Sequence, residues 1–282
     1  MRKYTIAQFD QEFPDDDACL EWLKNHFYPD GIFCKCCSKS TKHHRVSKRL
    51  CYACDQCGNH VYPMAGTILE KSTTPLKLWF YAIYVMSTTR CGISAKQIQR
   101  ETGVTYKTAW RMFNQIRSLL HGEHEPTSGE FEVDETYIGA SKPGKRGRGA
   151  GGKMVVFGVA QSKGNVSASI PTSLKSSVVV PLIKRRALPQ SKVYTDEFPA
   201  YDYLKEHDFK HERIHNTAKV WVIGDTHTNT IGGFWSALKR GINGVYHAVS
   251  LTQLQGYINE YSFRYNHRKD EKPMFLTVLE RI

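Results

Sequence analysis

Two kinds of side chain in this sequence are spaced for chemistry: thiols crowded into one short segment, and carboxylates set inside or at the ends of apolar strands. Six of the eight cysteines fall between residues 34 and 57. Cys34-Lys-Cys-Cys37 and Cys54-Asp-Gln-Cys57 form two C-x2-C pairs separated by sixteen residues. Two such knuckles can wrap four thiolates tetrahedrally around one zinc ion, which replaces the apolar core that so short a segment lacks. Thiolate at all four positions leaves no open coordination site, so the expected role is structural. Cys36 and Cys51 fall outside that register.

The carboxylates make a second constellation. Phe131-Glu-Val-Asp-Glu-Thr-Tyr-Ile-Gly139 reads as an apolar strand carrying acidic groups, and Val193-Tyr-Thr-Asp-Glu-Phe-Pro-Ala-Tyr201 reaches Asp196 at a strand end just before a turn. Burying a carboxylate is costly unless it is paired or bound to metal. Local hydrogen bonding would account for either one alone. Together they are a candidate pair of ligands for a hard cation, since carboxylate oxygen suits Mg2+ or Mn2+. Strand alternation does not choose Asp134 over Glu135, or Asp196 over Glu197.

The elements that must position these groups follow from periodicity and punctuation. Residues 1–29 read as an N-terminal helix with Cys19, Leu20, Trp22 and Leu23 as its buried stripe, and residues 30–70 as the zinc ribbon. From Pro75 to Leu120 the pattern is helical, with Leu76, Leu78, Trp79, Ala82, Ile83 and Met86 on one face. Ser94-Ala-Lys-Gln97 opens a helix as a capping box, Gly103 breaks it, and Thr105 caps a second helix from Tyr106 to Leu120. This punctuation makes residues 71–121 a candidate helix-turn-helix. Ala109, Met112, Phe113 and Ile116 would face its core, and Tyr106, Lys107, Thr108 and Arg111 the major groove.

A polar break, His121-Gly-Glu-His-Glu-Pro-Thr-Ser-Gly129, marks a domain boundary, and residues 128–282 form the next domain. Strands are expected over 131–138, 153–161, 165–170 and 192–195, with helices over 177–187, 229–240 and 250–265. The loop at 141–152 carries Lys145, Arg146 and Arg148 among glycines and is a candidate phosphate contact.

Lys and Arg exceed Asp and Glu by 39 to 27, a net charge of +12 that favours a polyanionic partner, nucleic acid first. No apolar run is long enough to span a membrane and no secretion signal opens the chain, so the expectation is a cytoplasmic, nucleoid-associated bacterial protein with no membrane partner.

Three ordered stretches carry a family resemblance: Val-Asp-Glu-Thr-Tyr-Ile-Gly at 133–139, Tyr-Thr-Asp-Glu at 194–197, and His227-Thr-Asn-Thr-Ile-Gly-Gly-Phe-Trp-Ser-Ala-Leu-Lys-Arg-Gly-Ile-Asn-Gly-Val-Tyr-His247. They resemble the catalytic domain of bacterial insertion-sequence transposases of the DDE type, within the subgroup that has an N-terminal zinc ribbon (ISXO2-like). Tyr-Ser-Phe-Arg-Tyr-Asn at 261–266 matches that subgroup's C-terminal helix. The resemblance implies an α/β chain: a zinc ribbon and a helix-turn-helix bundle ahead of an RNase H-like domain, a mixed sheet flanked by helices. It also implies a DNA transposase that binds terminal inverted repeats and target DNA as a homo-oligomer. In such a site three acidic groups hold two divalent cations about 3.5–4 Å apart. By resemblance, Asp134 and Asp196 are the first two ligands.

The third ligand is missing. The family motif usually reads Asn-Thr-Ile-Glu-Gly-Phe-Trp with a lysine seven residues after the glutamate, so its glutamate falls on Gly232 and its lysine on Lys239. Helical spacing agrees: Ile231, Phe234, Trp235 and Leu238 make a buried stripe, while 232, 236 and 239 share another face. Lys239 would hold a DNA phosphate. Asp225, His227 and Asn229 on the approach to the helix are candidate replacements for the glutamate. The expectation is an impaired transposase; the alternative is a catalytically inactive DNA-binding protein derived from one.

Overall fold

The structure, a computed structural model, describes residues 4–122, 125–139, 153–214 and 229–282, with Asn229 described by its backbone only. Its contacts divide the chain into two units, Met1–Leu119 with Asp270–Ile282, and Leu120–Lys269.

In the first unit, the expected single N-terminal helix is two: α1 (Ile6–Glu12), closed by a capping box between Thr5 and Gln8, and α2 (Asp16–Phe27), capped by Asp15. Pro14 explains the break, because it has no N–H to donate and disfavours helical geometry at the residue before it. Cys19, Leu20 and Leu23 are buried, whereas Trp22 is half-buried and stacks on His26.

The ribbon is a hairpin of β1 (Phe33–Cys34) and β2 (Lys39–Ser40) beside a three-stranded antiparallel sheet of β3 (His43–Arg45), β4 (Tyr52–Cys54) and β5 (His60–Val61). Arg45 and Tyr52 fasten that sheet to α2, the first by an ion pair to Asp17 at 2.7 Å and the second by donating to Glu21 at 2.6 Å.

Next come α3 (Leu76–Thr88), α4 (Ala95–Thr102) and α5 (Tyr106–Ser118). Leu76, Trp79, Ala82, Ile83 and Met86 of α3 are buried, with Leu78 half-buried. Ser94 and Thr105 accept the N–H groups of Gln97 and Thr108, and Gly103 takes a left-handed φ of +72° between the helices, where a side chain would be strained. The capping box at Ser94 is half made: the Gln97 side chain donates to Glu101 instead of reaching back. Residues 270–282 also pack in this unit, although chain order alone would group them with the domain that precedes them; Phe275 of the helix Met274–Leu279 meets Phe9, Phe13 and Tyr84 edge-on.

The second unit is built on a five-stranded mixed sheet. It comprises β6 (Glu130–Gly139), β7 (Lys153–Gln161) and β8 (Val166–Ser169), then β9 (Lys192–Thr195) and β10 (Lys210–Arg213), in the order β10-β9-β6-β7-β8. The first three strands are antiparallel, while β9 runs parallel to both β6 and β10. β10, Lys-His-Glu-Arg, has no apolar alternation to announce it, which is what an edge strand with one unpaired side permits.

Helices cover both faces. Phe131 and Val133 pack with α6 (Ser176–Lys184) and the 3-10 helix Pro199–His207 on one side. Ile138 packs with α7 (Asn229–Gly241) and α8 (Leu254–Asn266) on the other. Two-residue alternation along β6 therefore turns positions 132, 134 and 136 toward α7. Among the described residues, no helix is long and apolar enough to cross a membrane.

Candidate active site and zinc ribbon

The four thiols of the two knuckles converge. Cys34, Cys37, Cys54 and Cys57 each place sulfur within 4.8 Å of the others, with Cys34–Cys57 at 3.6 Å and Cys37–Cys54 at 3.9 Å. A tetrahedron of sulfurs about 2.3 Å from zinc has edges of about 3.8 Å, so the set fits that ion. The Thr41 hydroxyl, 3.1 Å away, and the N–H groups of Gln56 and Cys57 bring the Cys54 thiol down to about 6, which favours the ligating thiolate. Gly58 turns the chain out of the second knuckle at φ +69°. Cys36 is exposed and Cys51 is buried outside the cluster.

The carboxylate site lies where β6 outruns its neighbour. β9 pairs with β6 only through Glu130, Phe131 and Glu132, so beyond Thr195 the chain turns away and leaves the edge of β6 open at Asp134 and Glu135. The Asp196 carboxylate returns into that opening, its Oδ1 held at 2.9 Å by the Phe198 N–H in a two-residue turn. Asp134, Glu135 and Asp196 each offer an oxygen within 4.8 Å of the other two. Asp134 comes from the α7 face of the sheet and Glu135 from the opposite face, where buried Tyr201 donates to its Oε2 at 2.9 Å.

Burial, with the nearby Glu135 and Asp196 charges, pushes the Asp134 carboxyl up to about 6. Burial also pushes Tyr201 well above the ordinary phenol range, so it remains a donor. A set of carboxylates that repel one another in a half-buried setting is the donor chemistry a hard divalent cation takes.

α7 is docked on this strand by polar bonds as well as by its apolar stripe of Ile231, Phe234, Trp235 and Leu238, all buried. The Trp235 indole N–H donates to Asp134 Oδ2 at 3.1 Å. Glu132, only 1% exposed, accepts the first free N–H groups of the helix, Thr230 and Ile231, both at 2.9 Å on Oε2. Gly158 on β7, paired across from Asp134, allows the indole to lie against the sheet, since an added Cβ would come within 2.7 Å of Trp235 and 2.8 Å of Ile231.

Residues 126–266 match the ISXO2-like transposase domain, and residues 14–60 match the transposase zinc-ribbon domain. The chain belongs to the ISXO2-like transposase family. It is 30% identical, over 273 aligned positions covering 89% of this chain and 91% of that protein, to an uncharacterized protein in transposable element ISH50 of Halobacterium salinarum. It is also 30% identical over 105 positions to an uncharacterized transposase-like protein of Haemophilus influenzae, covering 37% of this chain and 84% of that one. The zinc-ribbon match begins at Pro14 and so takes in α2, which Arg45 and Tyr52 tie to the ribbon's sheet.

Within the transposase domain, Gly232 lies exposed in the first turn of α7, and an added Cβ there meets nothing within 4 Å. Lys239 is exposed on the same helix, about 10 Å further along its axis by helical rise. Asp225, His227, Lys145, Arg146 and Arg148 lie outside the described residues, as does the side chain of Asn229. Along α5, Ala109, Met112, Phe113 and Ile116 are buried. Tyr106, Lys107 and Arg111 are exposed and Thr108 is half-buried. The Lys96 ammonium sits 4.5 Å over the Tyr106 ring, and Arg111 reaches the Ser72 hydroxyl at 3.4 Å.

Three participants escaped the sequence. Glu132 had a usable signal, since it sits two residues from Asp134 in an apolar strand and so shares its face. Tyr201 and Gly158 had none, because their partners, Glu135 and Trp235, lie far away in the chain.

Proposed function

We propose that this transposase-family chain is the recombinase of an insertion sequence. On this reading its zinc ribbon and helix-turn-helix bind the element's terminal inverted repeats, and its RNase H-like domain cleaves DNA and transfers strands at the Asp134–Asp196 site, as a homo-oligomer on DNA. The observation that carries the reading is the convergence of Asp134 and Asp196 beside the start of the tryptophan-bearing helix. Divalent cations, Mg2+ or Mn2+, would there activate water or a DNA 3′-hydroxyl and stabilise the leaving oxygen. The chain's own groups supply the rest. Asp134 is aimed by Trp235, and Asp196 is fixed by its turn. Lys239, together with the 141–152 loop carrying Lys145, Arg146 and Arg148, contacts phosphate. Tyr106, Lys107, Thr108 and Arg111 read the groove. Working on chromosomal DNA, such a protein belongs with the nucleoid.

Gly232 limits the activity. Where the family motif carries glutamate, this helix has a glycine with no side chain to ligate, and among the described residues Glu135 is the third carboxylate within reach of the pair. The reading is therefore of an impaired enzyme. A second reading, a DNA-binding protein that keeps the fold without the chemistry, is favoured by the same glycine.

Gly232→Glu tests both. The open space around Gly232 admits the side chain, so the variant should gain Mg2+-dependent strand transfer on a substrate bearing the element's ends. No gain over the unaltered protein would sink the idea that the vacancy limits it. Gain in the variant from an undetectable start would favour the second reading.

A further inference from the structure

We propose that Glu132 is a positioning residue for the metal site: its buried carboxylate sets the start of α7, and through Trp235 the orientation of Asp134. This rests on the reading of Asp134 as a ligand. Glu132 does not join Asp134, Glu135 and Asp196 in the cluster whose oxygens share a cation's reach. It instead spends one oxygen on two backbone N–H groups, those of Thr230 and Ile231. A carboxylate 1% exposed is costly to bury, and the partial positive charge at a helix N-terminus offsets that cost only if the helix start is held at this spot.

The constraint propagates by rigid geometry. Trp235 follows Ile231 by one helical turn, so the bond to the Ile231 N–H fixes where the indole arrives. It lands against Gly158, the position across the ladder from Asp134, and donates to Asp134 Oδ2. Glu132, Asp134, Ile231 and Trp235 thus form a closed frame of two strand positions and two helix positions. Lys163 N–H to the Thr230 hydroxyl at 3.1 Å, and the Tyr265 hydroxyl to the Thr230 carbonyl at 3.5 Å, brace the same corner. A purely structural cap would not need its helix to end on a ligand of the site. Losing groups that orient a metal ligand typically costs about 10- to 100-fold in metal affinity.

The test uses the full chain labelled with 15N-tryptophan. The Trp235 indole resonance is identified by its loss in Trp235→Phe. In Glu132→Ala that resonance should shift toward the free-indole position and lose its protection from solvent exchange, with no metal present. Glu132→Gln, which keeps one carbonyl acceptor for the two N–H groups, should restore most of the protection and serves if the alanine variant does not fold. Mn2+ affinity should fall about tenfold in both Glu132→Ala and Trp235→Phe, and the double variant should be no weaker than either single one. An unaltered indole signal in folded Glu132→Ala, or, where that variant does not fold, an indole in Glu132→Gln identical to the parent's in shift and exchange rate, overturns the proposal, as do additive losses in the double variant. Failure of the unaltered protein to bind Mn2+ would instead remove the nucleotidyl-transfer reading, and the indole signal would then decide the Glu132 frame by itself.

Discussion

Replacing Asp134 by asparagine should make the metal-free protein more stable while abolishing its response to divalent ions. Asp134 sits at about 6 instead of 3.8 because it is half-buried beside Glu135 and Asp196. Its folded value is raised, so folding favours the protonated form. The cost of the charge is therefore fully present above pH 6, shrinks as the pH falls toward 4, and is gone below the unfolded value. At about 1.4 kcal/mol per pH unit the rise corresponds to about 3 kcal/mol, and residual solvent access reduces this to about 1–3 kcal/mol. Asparagine keeps an acceptor for the Trp235 N–H and removes the charge, so at pH 8 without divalent ions the variant should gain that amount. Mn2+ at a hundred times its dissociation constant should stabilise the unaltered protein by about 2.7 kcal/mol and leave the variant unmoved, which closes or reverses the gap between them. Hydrogen exchange of the β6–β7 amides measures this in the unit concerned without disturbing the ribbon's zinc. A variant less stable than the parent at pH 8 without divalent ions, or an equal Mn2+ gain in both, would refute the account of a repulsive cluster relieved by a cation.

Other outcomes follow from the same contacts. Gly158→Ala places a methyl 2.7 Å from the Trp235 ring and should cost about 1–3 kcal/mol in urea denaturation, with a parallel loss of Mn2+ affinity. Cys57→Ser should abolish zinc binding and open the ribbon to protease while leaving β6–β7 exchange unchanged, because the four-thiol cluster lies wholly in the first unit. Lys107→Ala should weaken binding to the element's ends evenly across sequence variants and lower the salt slope by about one, as read in gel shifts at several ionic strengths. A change in sequence preference would make Lys107 a base contact instead.

The sequence by itself determined much of what rests on short-range spacing. The C-x2-C pairs named the four cysteines whose sulfurs converge because a knuckle is local. Gly103 closes α4 and Thr105 opens α5 because caps and left-handed turns depend on a few neighbouring atoms. The stripe of Ile231, Phe234, Trp235 and Leu238 was legible because helical period alone decides which side is wet. β10 stayed hidden because an edge strand of charged residues carries no periodic signal, and the N-terminal region reads as one helix because its stripe, Cys19 to Leu23, lies only in the part after Pro14.

Strand alternation left Asp134 and Glu135 undivided and the resemblance chose Asp134; the tertiary structure brings both within reach of Asp196. Strand alternation sends them to opposite faces, and Asp196 reaches both because β9 stops short and its chain wraps the open edge. The same holds for Glu132 under the helix, Tyr201 against Glu135, and the glycine that makes room for Trp235. Each role is defined by a partner distant in the chain, and the energy of a buried charge or a close contact depends on what folding brings within a few ångströms, which no spacing along a strand records.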